Sequence, residues 1–445
     1  MPHTNTTDVA PPRRRRPRHL LAAPAVGSAL LLAALTAPAT SLAAWDAPVD
    51  VSGAGADAFA PQIAVATDGD GVLVWQRDGA VGQEVQAATV SETGAVGAAQ
   101  TLSAGGTNEQ PKVAVDDDGN AVVVWRRSSG GDVVVQSNTL SELGVPGARQ
   151  TISDDAQDAS RPAVGVDAAG NALIAWEFGS GANRRIQARI READGSLETT
   201  ATLPDTGGAS VIPEVAMAAG GEAVIAWLGD DGPASQVRAV TMSADGAIGP
   251  METVSTAAVD AESVGVGIDA DGNAVITWLR FADEHFRVYA RTLSAAGALG
   301  SRLTLSRAGE DAFLPEIAVA ANGRSAVTWQ RFDGSDFRVQ AVPISAAGVP
   351  GGVKTLSAGG SDSNNAAIAI DEDGDSVIVW DRSGDARIHA QTMTEAGNLG
   401  TLADLSDVGG AASQPQVGVD AAGDAHAVWA RNDGGDEIVQ VATGP

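Results

Sequence analysis

The chain has 445 residues, with 56 acidic and 28 basic side chains, a formal charge of −28, one tyrosine and no cysteine. The lack of cysteine excludes a disulfide framework, so packing alone must hold any domain that forms. The acidic surface excludes nucleic acid and anionic lipid as partners, because it repels both.

The first element is a leader over residues 1–44. Arg13, Arg14, Arg15, Arg16 and Arg18 precede the apolar run "HLLAAPAVGSALLLAALTAPATSLAA", which ends in the small-x-small pattern Ser41-Leu42-Ala43. This is the layout of an export signal cleaved after Ala43 or Ala44. The alternative is a retained anchor, since the run is long enough to span a bilayer. Pro24, Pro38 and the alanine-rich end favour cleavage. Residues 45–445 are therefore expected outside the cell or at its surface, as a monomer with no membrane insertion.

A repeat follows. Trp75, Trp125, Trp176, Trp227, Trp278, Trp329, Trp380 and Trp429 are spaced by 49 to 51 residues, with Trp45 outside the series. A glycine lies six residues before each, and an alanine or glycine lies eleven before, as in Ala114, Gly267 and Ala318. Self-similarity at such a period marks a repeat architecture.

Each unit reads as four strands, here called a to d. In the second unit these are "PKVAV" (111–115), "AVVVW" (121–125), "VVVQSNTL" (133–140) and "RQTIS" (149–153). The turn "DDDGN" between the first two has the chemistry of a tight hairpin. Prolines at 61, 111, 162, 213, 315 and 415 are expected to open strand a, where no ladder bond is lost. Strand b is apolar on both faces, so neighbouring units must cover it, as radially stacked β-propeller blades do. The small column then places strand a innermost, and each tryptophan fills the gap between blades, facing a small residue.

The ends complement each other. Residues 46–52, "DAPVDVS", align with d strands, while the chain stops at "EIVQVATGP" after a c strand. Pairing 46–52 with 437–443 would close a ring and protect an edge. The expected fold is an all-β, eight-bladed propeller of four-stranded antiparallel blades over 45–445. A solenoid is the alternative, but it would carry atypical caps.

This pattern resembles the tandem repeats of secreted bacterial β-propeller proteins. It is similar, loosely, to the Asp-box of sialidase-type propellers, although the glycine here stands six residues before the tryptophan rather than three. The resemblance implies a propeller fold and transfers no site residue.

Several columns invite a functional reading. Acidic a–b turns such as Asp116-Asp117-Asp118 could hold calcium, but they lack the ligand run of a calcium loop, and solvated hairpin turns are the preferred reading. No other cofactor is expected. His285, His389 and His426 show no metal-ligand spacing. Arginine follows the tryptophan by two in six units, including Arg280 and Arg331. A repeated column points to structure, by stacking or by pairing across blades, more than to a basic ring for carboxylates. The glutamines of strand c, such as Gln86 and Gln340, are expected to bond between blades.

One stretch breaks the symmetry. Phe281, Phe286, Phe313, Phe332, Phe337 and Tyr289 all fall within 281–337. Arg280, Phe281, Glu284, His285, Tyr289, Arg331 and Phe332 are the expected ligand site, with Phe281 and Phe332 a paired aromatic shelf on adjacent b–c loops. The competing reading makes these aromatics core. No nucleophile elbow, phosphate loop or catalytic cysteine is present. A non-catalytic binding protein for an extracellular protein or glycan is the leading expectation. A glycan-acting hydrolase or lyase is the enzyme alternative, built on Tyr289–Glu284 or on a carboxylate with His285. A structural or adhesive repeat protein is the third.

Overall fold

The structure is a computed structural model and describes residues 44–445 apart from 155–157, 206, 231–233, 257–258 and 433. The leader predicted for 1–44 lies outside the described residues up to residue 43.

Each unit forms one antiparallel sheet of four strands, a blade, and eight blades make a ring. Blade two consists of Thr107–Val115, Ala121–Ser129, Asp132–Leu140 and Gln150–Thr151, its strands a to d. Blade five is Ala261–Ile268, Ala274–Ala282, His285–Leu293 and Leu303–Thr304. Blade six is Ala312–Val319, Ser325–Phe332, Phe337–Ile344 and Lys354–Thr355.

Blade eight takes three strands from the C-terminal end, Ala411–Val419, Ala425–Asn432 and Glu437–Gly444. Its fourth is Val49–Asp50, paired Val49 to Val441 and Asp50 to Gln440. Asp46 and Val51 donate backbone N–H groups to Thr443 and Val439, each at 2.8 Å. Trp45 packs on the backbone of Gly444, where no side chain would fit. The predicted closure is therefore present, and no edge of blade eight is left open.

All eight repeat tryptophans are 1% exposed or less. Trp278 packs among Val224, Ala226 and Val237 of the preceding blade, and Trp329 among Val275, Val288 and Ala290. Each indole thus fills the gap behind its own blade. The small column faces the other way. A Cβ on Gly267 would stand 2.5 Å from Val319 of the next inner strand, and one on Gly418 2.5 Å from Val65. The nearest atoms there belong to the adjacent strand a rather than to a tryptophan. Blades converge at the axis, and only a hydrogen or methyl fits between inner strands.

Two expectations are corrected. The prolines do not open strand a; they sit inside it, at a bulge that interrupts the register in every blade. A bulge leaves one residue unpaired, which suits a residue without an N–H. The preceding residue takes a positive φ, 57° at Gln110 and 48° at Leu314. The strand c glutamines do not bond between blades either. Gln86, Gln136 and Gln340 donate to Thr101, Thr151 and Thr355 of strand d in their own blade, at 3.1, 3.2 and 2.9 Å. Strand d is only two residues long, so a side-chain tie adds to its few ladder bonds. In blade eight Gln440 donates to Asp50 at 2.7 Å, repeating the tie across the closure.

Candidate functional site

The b–c turns and the segments leading into strand a share one rim of the ring. On blades five and six this rim carries a ladder of phenylalanines. Phe281 meets Phe286 edge to face at 5.2 Å, and Phe286 meets Phe313 at 5.5 Å. Phe313 meets Phe337 at 6.0 Å, and Phe337 meets Phe332 at 5.3 Å. Centroid separations and tilts of this kind are favourable for ring quadrupoles.

Register explains the ladder. Phe281 faces Phe286 across blade five, and Phe332 faces Phe337 across blade six. Phe313, on the inner strand of blade six, bridges the two pairs. The two ends stay exposed, Phe281 by 47% and Phe332 by 36%, and Leu314 beside Phe313 is 48% exposed. The middle three rings are half-buried. Phe281 and Phe332 are thus not a direct pair but the termini of a continuous apolar band.

The other predicted residues divide. Glu284 is exposed in the blade-five turn, where Asp283 and Glu284 both have positive φ. His285 lies beside it, half-buried, with its Nδ1 3.4 Å from Asp311. Tyr289 is not on the rim. It is 5% exposed, stacked on Trp278 at 5.9 Å, with Arg302 over its other surroundings at 5.1 Å from the ring centroid. Its register partner is Thr304, so it occupies the blade-five position that glutamine holds elsewhere. That placement separates Tyr289 from Glu284 and leaves the Tyr289–Glu284 pair unformed.

The arginine column anchors loops. Arg77 donates to the carbonyl of Ala54 at 3.2 Å, Arg127 to that of Gly105 at 3.2 Å, and Arg280 to the hydroxyl of Thr256 at 3.1 Å. Arg331 is ion-paired with Glu310. Each of these guanidiniums ties down the segment leading into its own blade, a structural role different from indole stacking or cross-blade pairing. Burial pushes the Arg331 pKa down, with Arg307 and Arg338 adding to this and Asp333 opposing.

At the opposite rim the acidic turns use their carboxylates internally. Asp116 accepts the backbone N–H groups of Asp118 and Asn120 at 3.1 and 2.8 Å, and Asp269 those of Asp271 and Asn273 at 3.0 and 2.7 Å. These are Asx turns. Among the described residues no three His, Cys, Asp or Glu side chains gather as metal ligands would. His389 is buried between Asp404 and Asp385 at 2.9 and 3.1 Å. His426 bridges Thr443 and the Gly69 carbonyl at 2.8 and 2.9 Å, linking blades eight and one, and burial lowers its pKa.

A further set of residues went unread in the sequence. Asp57, Asp260, Asp311 and Asp362 precede an inner strand and accept the first N–H of strand c in the blade before, at 2.8 to 2.9 Å. A column of aspartates three residues before the bulge residue was the available signal. On blades five and six these latches fix Phe286 and Phe337, and so orient the ladder.

No protein-family profile matches the chain, and no curated protein sequence matches it. Solved structures are similar in fold. A puromycin hydrolase superposes with a TM-score of 0.51 at 14% identity, over 87% of this chain and 60% of its own. The β-propeller domain of the Trilobed protease from Pyrococcus furiosus gives 0.47 at 10% identity, over 83% and 97%. A polysaccharide lyase gives 0.48 at 10% identity, over 78% and 92%. At such identities the likeness concerns the fold alone. The chain is an eight-bladed β-propeller.

Proposed function

We propose that this propeller is a secreted or cell-surface binding protein that holds a protein or glycan ligand on the rim of blades five and six. The observation that supports this is the five-ring phenylalanine ladder, in a chain with seven phenylalanines in all. A contiguous apolar band with exposed ends on a polar rim is what a soluble chain keeps for contact with a partner. Adjacent blades give the band a length that one loop could not offer. Glu284, His285 and Arg307 flank it as polar and charged groups for orientation. Arg280 and Arg331 act on the loops beneath instead of contacting ligand directly.

The test is binding of the full chain to glycan and peptide arrays, with the variant Phe281→Ser/Phe332→Ser alongside. The proposal expects a signal from the parent protein that the double variant loses while its melting curve is kept. Equal array signals from both proteins would refute the rim as the site.

A further inference from the structure

Directly after each bulge, the inner strand places one residue at the axis of the ring. Five of these eight are polar: Gln62, Lys112, Glu214, Glu316 and Gln416. The other three are alanine or glycine, which leaves the lumen open. Gln62, Glu316 and Gln416 line a cavity of about 310 Å³ there, together with the bulge residues Leu314, Asn365 and Gln414. Lys112 and Glu214 hold the same register in blades two and four, and both act electrostatically on Glu316.

Lys112, Glu214 and Glu316 make no hydrogen bond or ion pair with one another or with other described residues. Glu316 is open to the lumen and Glu214 partly so, yet eight strands enclose them and keep bulk solvent away. Unpaired charges of both signs inside such an enclosure are costly unless something else pairs them.

We propose that the lumen binds a compact zwitterion, an α-amino acid or dipeptide in size, with its ammonium between Glu214 and Glu316 and its carboxylate on Lys112. A metal ion would meet only two carboxylates and a repelling ammonium. A simple amine would leave Lys112 unpaired, and a simple anion would face two carboxylates. The amides of Gln62, Gln414 and Gln416 can donate to or accept from either end of the ligand. The cavity lies at the small end of ligand-pocket volumes, about 300–1,000 Å³. This site is separate from the phenylalanine ladder and does not depend on it.

Burial pushes Glu316 up to about 7, with Glu214 adding and Lys112 opposing. An ammonium placed between the carboxylates favours their ionised form, so binding near neutral pH should release a proton to the buffer.

The test is titration calorimetry of the full chain with glycylglycine, alanine and γ-aminobutyrate at pH 7, in two buffers of different ionisation enthalpy. Putrescine, succinate and calcium chloride are the single-charge comparisons. At least one zwitterion should bind, with a buffer-dependent heat that reports proton release. Lys112→Met and Glu316→Gln should each weaken it by about tenfold or more, the loss of one charge-assisted contact. Phe281→Ser/Phe332→Ser should bind the zwitterion unchanged. The buffer dependence is read on the parent protein, so it stands even if a lumen variant fails to fold. Silence from all three zwitterions overturns the proposal. So does putrescine or calcium binding as tightly and without regard to Lys112.

Discussion

The layer of tryptophans and the rim of blades five and six obey opposite rules. The first repeats in every blade, is almost wholly buried, and meets the same kind of neighbour each time. The second occurs once, is half-exposed, and is built from side chains that other blades replace with small or polar ones. In a ring whose blades all solve the same packing problem, repetition marks what the fold requires. Departures from it mark positions that the fold does not dictate.

If repetition carries the fold, its loss should be most damaging where the ring closes. Deleting Trp45 to Ser52 removes the strand that pairs with Glu437–Gly444 and exposes a blade edge. We expect a large fall in melting temperature together with self-association, read by calorimetry and light scattering. An unchanged monomer with an unchanged melting temperature would show that closure contributes nothing.

Removing one repeated indole comes next. Trp278→Ala should destabilise by about 3–5 kcal/mol in denaturant unfolding, from lost burial plus the cavity left behind. Ala318→Leu should cost about 1–3 kcal/mol or more, because inner strands leave room for little beyond a methyl. A neutral result there would mean that the inner strands can move apart.

The gap between what could and could not be read before the structure follows the same division. Strand order, blade number and closure were legible because apolar periodicity, turn chemistry and complementary ends act locally and recur eight times. The bulge was not, since a proline is compatible with both a strand start and a bulge, and only the cross-strand register distinguishes them. Gln86 was assigned to the wrong partner for a related reason: its Thr101 lies across a strand pair whose register the sequence does not state. The aromatic cluster was legible as composition. Its continuity was not, because Phe313 enters from an inner strand, and Tyr289 leaves the group because its register turns it toward Trp278.

Departures inside the ring sharpen the comparison further. Glu316 stands where other blades put alanine, glycine or an amide, and its pKa is raised to about 7. Its folded value exceeds the unfolded one, so the fold favours the neutral acid, and stability falls as pH rises from about 4.5 through 7. Glu316→Gln should therefore melt above the parent protein at pH 8 and match it near pH 4. His426 has the opposite sign. Its lowered pKa means the closure between blades eight and one weakens as pH falls below about 6.5, which hydrogen exchange in Gly69 and its neighbours would report.

The smallest effect on stability is expected where the account places function. The most direct measurement is the paired one on Phe281→Ser/Phe332→Ser, comparing its melting curve and its array binding with those of the parent. The account predicts a melting temperature within a few degrees of the parent and loss of the bound ligand. Unfolding of the double variant, or binding that survives it, would contradict the separation of fold from site.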